Sequence, residues 1–103
     1  MTENANELLD DEEHIDQASR AMKAMSHPLR LKILCVLGAY EVSVQDIVDR
    51  VGTSQSNISQ HLAIMRDKGV LRTRKDANRV YYRVGDTRTL ELIKMMREVF
   101  CGF

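Results

Sequence analysis

The sequence of 103 residues predicts a mostly α-helical fold that carries one small β-hairpin. Apolar residues recur at helical spacing in successive segments up to residue 69, whereas residues 79–84 alternate as a half-buried strand does. Helical spacing then returns from about residue 87. Four helices, a hairpin and a fifth helix form the order of a winged helix-turn-helix, in which the hairpin is the wing.

The first two helices are predicted over residues 12–25 and from residue 28 to Gly38. Ser26 is the expected N-terminal cap of the second helix, because its hydroxyl can accept a bond from a backbone N–H, and Pro28 fits the first turn. Apolar spacing places Ile15, Ala18, Met22 and Met25 on one face of the first helix, and Leu29, Ile33 and Leu37 on the inner face of the second.

A helix-turn-helix is predicted over residues 43–69. The run Ser-Val-Gln-Asp at residues 43–46 resembles a capping box and opens a third helix through Val51. A Gly-Thr-Ser turn then opens a fourth helix, the recognition helix, which Gly69 closes. One apolar stripe of the recognition helix is formed by Ile58, Leu62 and Met65.

The opposite face of the recognition helix carries short polar side chains rather than the glutamates and lysines that usually provide solubility. They are Gln55, Ser56, Asn57, Ser59, Gln60 and His61. Such side chains suit hydrogen bonding to base edges and phosphates, so the sequence predicts that the chain binds DNA.

The wing is predicted from two runs, residues 70–75 and 79–84, joined by a tip at residues 76–78. A last helix starts near Asp86 or Thr87 and reaches about Cys101. Its apolar face is wider than the core of one domain needs, and the first helix shares this excess. We therefore expect a homodimer in which the terminal helices pair across a twofold axis.

The net charge of zero conceals a strong asymmetry along the chain. Residues 1–16 hold seven acids and no lysine or arginine, whereas the remaining 87 residues hold fifteen bases against eight acids. Residues 66–88 alone hold eight bases against three acids. A basic segment beside a recognition helix is typical of phosphate binding. Residues 1–11 are expected to be a disordered acidic tail, and residues 12–103 one DNA-binding and dimerisation domain.

Four segments together resemble the ArsR/SmtB family of dimeric winged-helix repressors: AMSHPLRLKILCVL, VSVQDIV, SQSNISQHLAIMRDKGVL and RVYYRV. The resemblance covers about residues 17–101. It implies a repressor that binds a palindromic operator and leaves it when an inducer is sensed. It also implies that the six polar residues of the recognition helix contact the major groove, and that Arg79, with Arg74 and Lys75, contacts the minor groove or phosphates.

Metal sensing, which is frequent in that family, is not expected here. Where the family's arsenic-type site has thiols, this chain has Ser43 and Gln45. Where its zinc-type site needs a histidine-containing pair near the end of the last helix, this chain has Arg97 and Glu98. Soft and borderline metals need several nitrogen or sulfur ligands, so neither site is complete.

The two cysteines, Cys35 and Cys101, form no CxxC pair. The contexts ILCVL and VFCGF resemble the dithiol subgroup of the family exemplified by BigR, SqrR and HlyU. In that subgroup reactive sulfur species or oxidants link one thiol at each of these positions, and the regulator then releases DNA. The resemblance thus implies a persulfide or redox sensor; two inert buried thiols are the alternative.

Other functions stay open at this point. The chain could be a repressor whose metal or small-molecule site is unrecognised, with both cysteines structural. It could also use its winged helix for protein contacts, although the polar recognition helix and the basic wing oppose this. A thiol oxidoreductase lacks support, because no CxxC, Gly-rich cofactor loop or paired carboxylates occur. No enzyme activity, no cofactor and no membrane segment are expected, and the location expected is the cytoplasm.

Overall fold

The computed structural model describes residues 11–102, and the side chain of Cys101 and most of the expected acidic tail lie outside the described part. Five helices and three strands follow one another in the order α1 (Glu12–Met25), α2 (Pro28–Leu37), β1 (Val42–Ser43), α3 (Val44–Val51), α4 (Gln55–Asp67), β2 (Leu71–Asp76), β3 (Arg79–Val84) and α5 (Thr87–Cys101). The predicted winged helix-turn-helix is confirmed. None of the described helices is long and apolar enough to cross a membrane.

The start of α2 differs from the prediction by one residue. Ser26 was expected to cap this helix, but it ends α1, where its backbone N–H donates to the carbonyl of Lys23. His27 is the cap instead, and its Nδ1 accepts the backbone N–H of Leu29 at 3.1 Å. Pro28 occupies the first turn as predicted, where a missing N–H removes no intrahelical bond.

Two serines begin the helices of the helix-turn-helix. The Ser43 hydroxyl accepts the backbone N–H of Asp46, and the Ser54 hydroxyl accepts that of Asn57, both at 3.2 Å. These bonds satisfy N–H groups that a helix leaves without an internal partner. Gly69 lies one residue past the cap of α4 with φ of 80°, a left-handed conformation that glycine adopts without strain.

The sheet has three antiparallel strands in the order β1-β3-β2. The wing, residues 71–84, consists of β2 and β3, and Asp76 pairs with Arg79 so that two residues form the tip. The two-residue strand β1 was not predicted. It pairs with β3 and joins the wing to the helix-turn-helix, because Ser43, its second residue, also caps α3.

The core lies between α2 and the two helices of the helix-turn-helix, α3 and α4, and fixes these three helices against one another. Its fully buried side chains are Ile33, Leu34 and Leu37 of α2, Ile47 of α3, and Ile58, Leu62 and Met65 of α4. Leu71, Tyr82 and Val84 attach the base of the sheet to this core, and Ile93 attaches α5.

The terminal helices expose a large apolar surface, as expected from their sequences. Ile15 and Met22 of α1 and Leu92, Met95, Val99 and Phe100 of α5 are all more than half exposed. Exposed apolar surface of this extent on two neighbouring elements is typical of a protein interface. We refer to these six residues as the terminal-helix face.

Replacing Ser43 by alanine is expected to lower the free energy of unfolding by about 1 kcal/mol, because α3 loses the side-chain cap and a buried hydroxyl is removed. Urea denaturation of the variant and the parent measures the difference. The matched control is Ser19→Ala, an exposed position on α1, which should change stability by less than about 0.5 kcal/mol. Equal losses in the two variants would show that the Ser43 cap contributes nothing specific.

Candidate nucleic-acid interface

The orientation of α4 follows from its buried stripe. Ile58, Leu62 and Met65 have no exposed surface, so the opposite face of the helix must point away from the core. That face carries four exposed polar side chains with amide or hydroxyl groups: Gln55, Ser56, Ser59 and Gln60. The structure thus brings four of the six predicted contact residues of α4 together on one open surface.

Asn57 has a different environment from those four residues. It is half-buried, and its Nδ2 donates to Oγ1 of Thr53 at 3.3 Å, while its backbone N–H donates to the Ser54 cap. The side chain therefore ties the first turn of α4 to the preceding turn. Asn57 therefore orients the start of α4.

His61, the last of the six, packs against α2. Its Nδ1 accepts Nε–H of Arg30 at 3.1 Å, and its ring centroid lies 4.6 Å from that of His27. Arg30 also donates to the carbonyl of Ala24 at 3.1 Å, so its guanidinium links α1, α2 and α4. Burial, followed by the charges of His27 and Arg30, lowers the pKa of His61 below its ordinary value. Of the two roles that the sequence left open for His61, DNA contact and packing, these contacts show packing against α2.

A groove of about 500 Å³ separates the recognition helix from the wing. Gln55 and Ser59 line one wall, and Asn78, Arg79 and Tyr82 line the other. The fold therefore places the exposed amide and hydroxyl of α4 beside the arginine at the wing tip. An interface that combines polar side chains for base edges with a cation for phosphate suits duplex DNA.

The three predicted wing cations fall into two groups. Lys75 and Arg79 are exposed, and neither forms a salt bridge within residues 11–102. Arg74 is bound to Glu41, with 2.8 Å between its Nη2 and Oε1, and its guanidinium carbon lies 4.7 Å from the centre of the Tyr81 ring. The hydrogen bonds between the two side chains, followed by the attraction of their charges, lower the pKa of Glu41 and raise the pKa of Arg74.

The sequence did not reveal two side chains that bind predicted site residues: Glu41, which binds Arg74, and Arg30, which binds His61. Glu41 is 33 residues from Arg74, and Arg30 is 31 residues from His61, so neither pair gives a local pattern. Glu41 stands alone among apolar and small residues, and Arg30 lies in a basic, helical segment where an exposed position is the default expectation. Only the packed structure identifies the partners.

The cysteines lie on the helices expected for them. Cys35 of α2 is a half-buried free thiol, and Cys101 is the last residue of α5. Leu31, one turn before Cys35, lines a small apolar cleft together with Ile93 and Met96 of α5, so the two helices border a common space. Among the described residues no cluster of three or more His, Cys, Asp or Glu side chains is arranged to hold a metal ion.

Residues 27–73 match the model of the bacterial regulatory protein arsR family. The HTH-type transcriptional regulator YgaV of Escherichia coli K12 is 40% identical over 87 residues, which are 84% of this chain and 88% of that protein.

Solved structures agree with that match. HlyU from Vibrio cholerae N16961 superposes with a TM-score of 0.83 at 38% identity, over 87% of this chain and 98% of that one. The transcriptional repressor BigR from Xylella fastidiosa gives a TM-score of 0.79 at 29% identity, over 89% of this chain and 94% of that one.

The environment of His61 predicts a pH-dependent stability. Because folding lowers its pKa, the neutral imidazole is favoured; this stability is complete above the unfolded pKa of about 6.5 and is lost as the pH falls below that value. His61→Gln retains an acceptor for Arg30 and does not titrate. We expect the parent to lose more thermal stability than His61→Gln between pH 7 and pH 5.

The matched control for this experiment is His14→Gln, which removes an exposed histidine of α1. Its melting temperature should follow the parent across the same pH range. Parallel pH profiles for the parent and His61→Gln would contradict the assignment of a neutral, packed His61.

Proposed function

This chain belongs to the arsR family of bacterial regulatory proteins and is a transcriptional regulator, and we propose that it acts as a dimeric, sequence-specific repressor that binds operator DNA. The observation that carries the proposal is the juxtaposition, across one groove, of the exposed polar face of α4 and the exposed cation Arg79 at the wing tip. A surface for protein contact alone would not need this pairing of base-reading side chains with a phosphate-binding charge.

In the proposed complex α4 lies in the major groove. Gln55 and Gln60 carry amides, which pair with the adenine edge through two hydrogen bonds, and the hydroxyls of Ser56 and Ser59 bond to base edges or phosphates. Asn57 and His61 were also expected to contact DNA. Their intramolecular bonds to Thr53 and Arg30 support a role in holding α4 in place.

The wing supplies the electrostatic part of binding. Arg79 and Lys75 are exposed cations without a salt bridge in the described part of the chain, so a phosphate can replace water around them at little cost. Arg79 lines the groove next to α4, which supports a contact between Arg79 and the DNA backbone of the same half-site. Arg74 is already neutralised by Glu41 and is a weaker candidate for direct contact.

The terminal-helix face supports the proposed dimer. Phe100 is 82% exposed and Val99 is 65% exposed in the single chain, which is unfavourable for apolar side chains unless another surface covers them. A twofold axis through this face would relate two recognition helices. Palindromic operators with half-sites about one helical turn apart, roughly 34 Å, fit such a dimer.

For the inducer, we propose that a sulfur-based link between Cys35 and Cys101 releases the repressor from DNA. Peroxide would take two electrons and two protons from the thiols, form a disulfide and leave as water. A persulfide donor would transfer sulfur to each thiol, and a further donor molecule would oxidise the pair, being reduced to thiol and hydrogen sulfide. A direct disulfide needs Cα atoms within about 7 Å, whereas a bridge with extra sulfur atoms spans more.

The positions of α2 and α5 support this proposal. Cys35 is a free, half-buried thiol on a helix that also carries core residues, and α5 carries part of the terminal-helix face. Linking the ends of these two helices would strain the packing between the core and the dimer interface. The distance between the two recognition helices would then no longer match the distance between successive major grooves. Contacts would be lost in each half-site, and DNA binding would weaken.

The DNA-binding proposal predicts a steep dependence on salt. Fluorescence anisotropy with an operator-containing duplex should show the logarithm of the binding constant falling linearly with the logarithm of salt concentration. Arg79→Ala should weaken binding to all duplexes and reduce the slope by about one per protomer. Gln55→Ala should lower discrimination between operator and random duplex with little change in slope. Salt-independent binding would favour the protein-contact module instead.

The sensing proposal predicts that Cys35→Ser and Cys101→Ser each bind DNA as tightly as the reduced parent and fail to respond to inducer. Anisotropy before and after a persulfide donor or peroxide measures the response, and intact mass identifies the product. Added mass of whole sulfur atoms with both thiols blocked indicates a persulfide sensor, and loss of two hydrogens indicates a disulfide switch. Full release of either variant by inducer would exclude the mechanism.

A further inference from the structure

The outer face of the sheet carries an ion pair that crosses all three strands. In the strand register Arg74 of β2 lies opposite Tyr81 of β3, and Tyr81 lies opposite Ser43 of β1. Glu41 is placed two residues before Ser43, at the entrance to β1. The Arg74 side chain thus extends from one edge strand, across the Tyr81 ring, to the other edge of the sheet.

The contacts of this ion pair are well formed. Arg74 Nη2 lies 2.8 Å from Glu41 Oε1, and Arg74 Nε lies 3.0 and 3.1 Å from the two carboxylate oxygens. The guanidinium carbon is 4.7 Å from the Tyr81 ring centre, and Asp76 Oδ2 approaches Nη1 at 3.7 Å. Two acidic groups and an aromatic face therefore occupy Arg74.

We propose that Glu41 is a positioning residue for DNA binding, which acts through Arg74 to hold the wing at a fixed angle to the recognition helix. This inference rests on the proposed DNA-binding function and deepens it. It assigns Arg74 a geometric role: the side chain supports the wing and does not contribute its charge to phosphate binding. We refer to the Glu41–Arg74 pair over Tyr81 as the wing strap.

The burial of the wing explains why a strap is needed. Leu71, at the base of β2, is its only buried residue, and the following five residues of that strand are exposed. On β3 the buried side chains are Tyr82 and Val84, and the half-buried Val80 also packs against the core; all three lie on the other face of the sheet from Arg74. On the outer face, the bond from Arg74 to Glu41 is therefore what connects the distal part of β2 to the body of the domain.

The attachment strand itself is short. β1 has two residues, so its pairing with β3 gives the wing a narrow hinge at the point where Ser43 caps α3. The wing strap lies on the outer face, away from the hinge axis at β1, and therefore resists rotation of the wing about that axis. Small changes of wing angle would move Arg79 relative to α4, and both line the groove that is proposed to receive DNA.

The test uses the full chain and two measurements on Glu41→Gln, Arg74→Ala and the double variant. Electrostatics alone predicts that removing the negative charge of Glu41 tightens DNA binding. The wing strap predicts the opposite: each single variant weakens operator binding roughly fivefold, the upper end for an exposed, ordered ion pair. The double variant should be no weaker than either single variant, since the same interaction is lost.

The salt dependence separates geometry from charge. Arg74→Ala should leave the slope of log binding constant against log salt unchanged, whereas the control variants Arg79→Ala and Lys75→Ala should each reduce it by about one per protomer. Tighter binding by Glu41→Gln, or a reduced slope for Arg74→Ala, would overturn the proposal and make Arg74 a direct phosphate contact that Glu41 restrains.

A second measurement does not require DNA. Amide hydrogen exchange within residues 72–81 should be faster in Glu41→Gln than in the parent, with exchange in α2 and α4 unchanged. If the parent binds no duplex, the proposed function fails while this measurement still tests the strap. Unchanged exchange in the wing would overturn the strap even if the parent binds DNA.

Discussion

Burial of one stripe of the recognition helix is the constraint on which the rest of the structure depends. Ile58, Leu62 and Met65 pack without exposed surface against the equally buried side chains of α2 and α3. Rotation of α4 by a fraction of a turn would expose part of this stripe and bury amides and hydroxyls without partners, and both changes are costly. The outward direction of Gln55 and Ser59 is therefore a consequence of core packing.

A second set of contacts, formed by polar groups, fixes the position of α4 relative to the preceding turn and to α1 and α2. Ser54 and Thr53 bond to Asn57 at its start, and Arg30 reaches from α2 to His61 two turns later. Nη1 of Arg30 also donates to the carbonyl of Ala24, in the last turn of α1. Polar groups therefore align three helices around the apolar core, and the neutral state of His61 is part of that alignment because a protonated Nδ1 could not accept from Arg30.

The wing and the terminal helices are stabilised by different kinds of interaction. The base of the wing packs on the apolar core, and directional interactions hold its exposed part: strand pairing with β1 and the bidentate pair of Glu41 and Arg74. The terminal helices expose apolar side chains, for which the hydrophobic effect favours a second copy of the chain. Cys35 lies on α2 between these regions, and the proposed link to α5 would act on the packing of core and interface together.

The sequence by itself determined the order of helices and wing, the buried stripes and the polar face of α4, because periodicity and capping residues act over a few positions. It missed β1, since two residues give no strand pattern, and it placed the cap of α2 at Ser26 because local chemistry could not show that Ser26 ends α1. Only the tertiary structure decided that Arg74 faces Glu41 and that His61 faces Arg30. Each pair joins residues more than thirty positions apart, and such partners are set by packing.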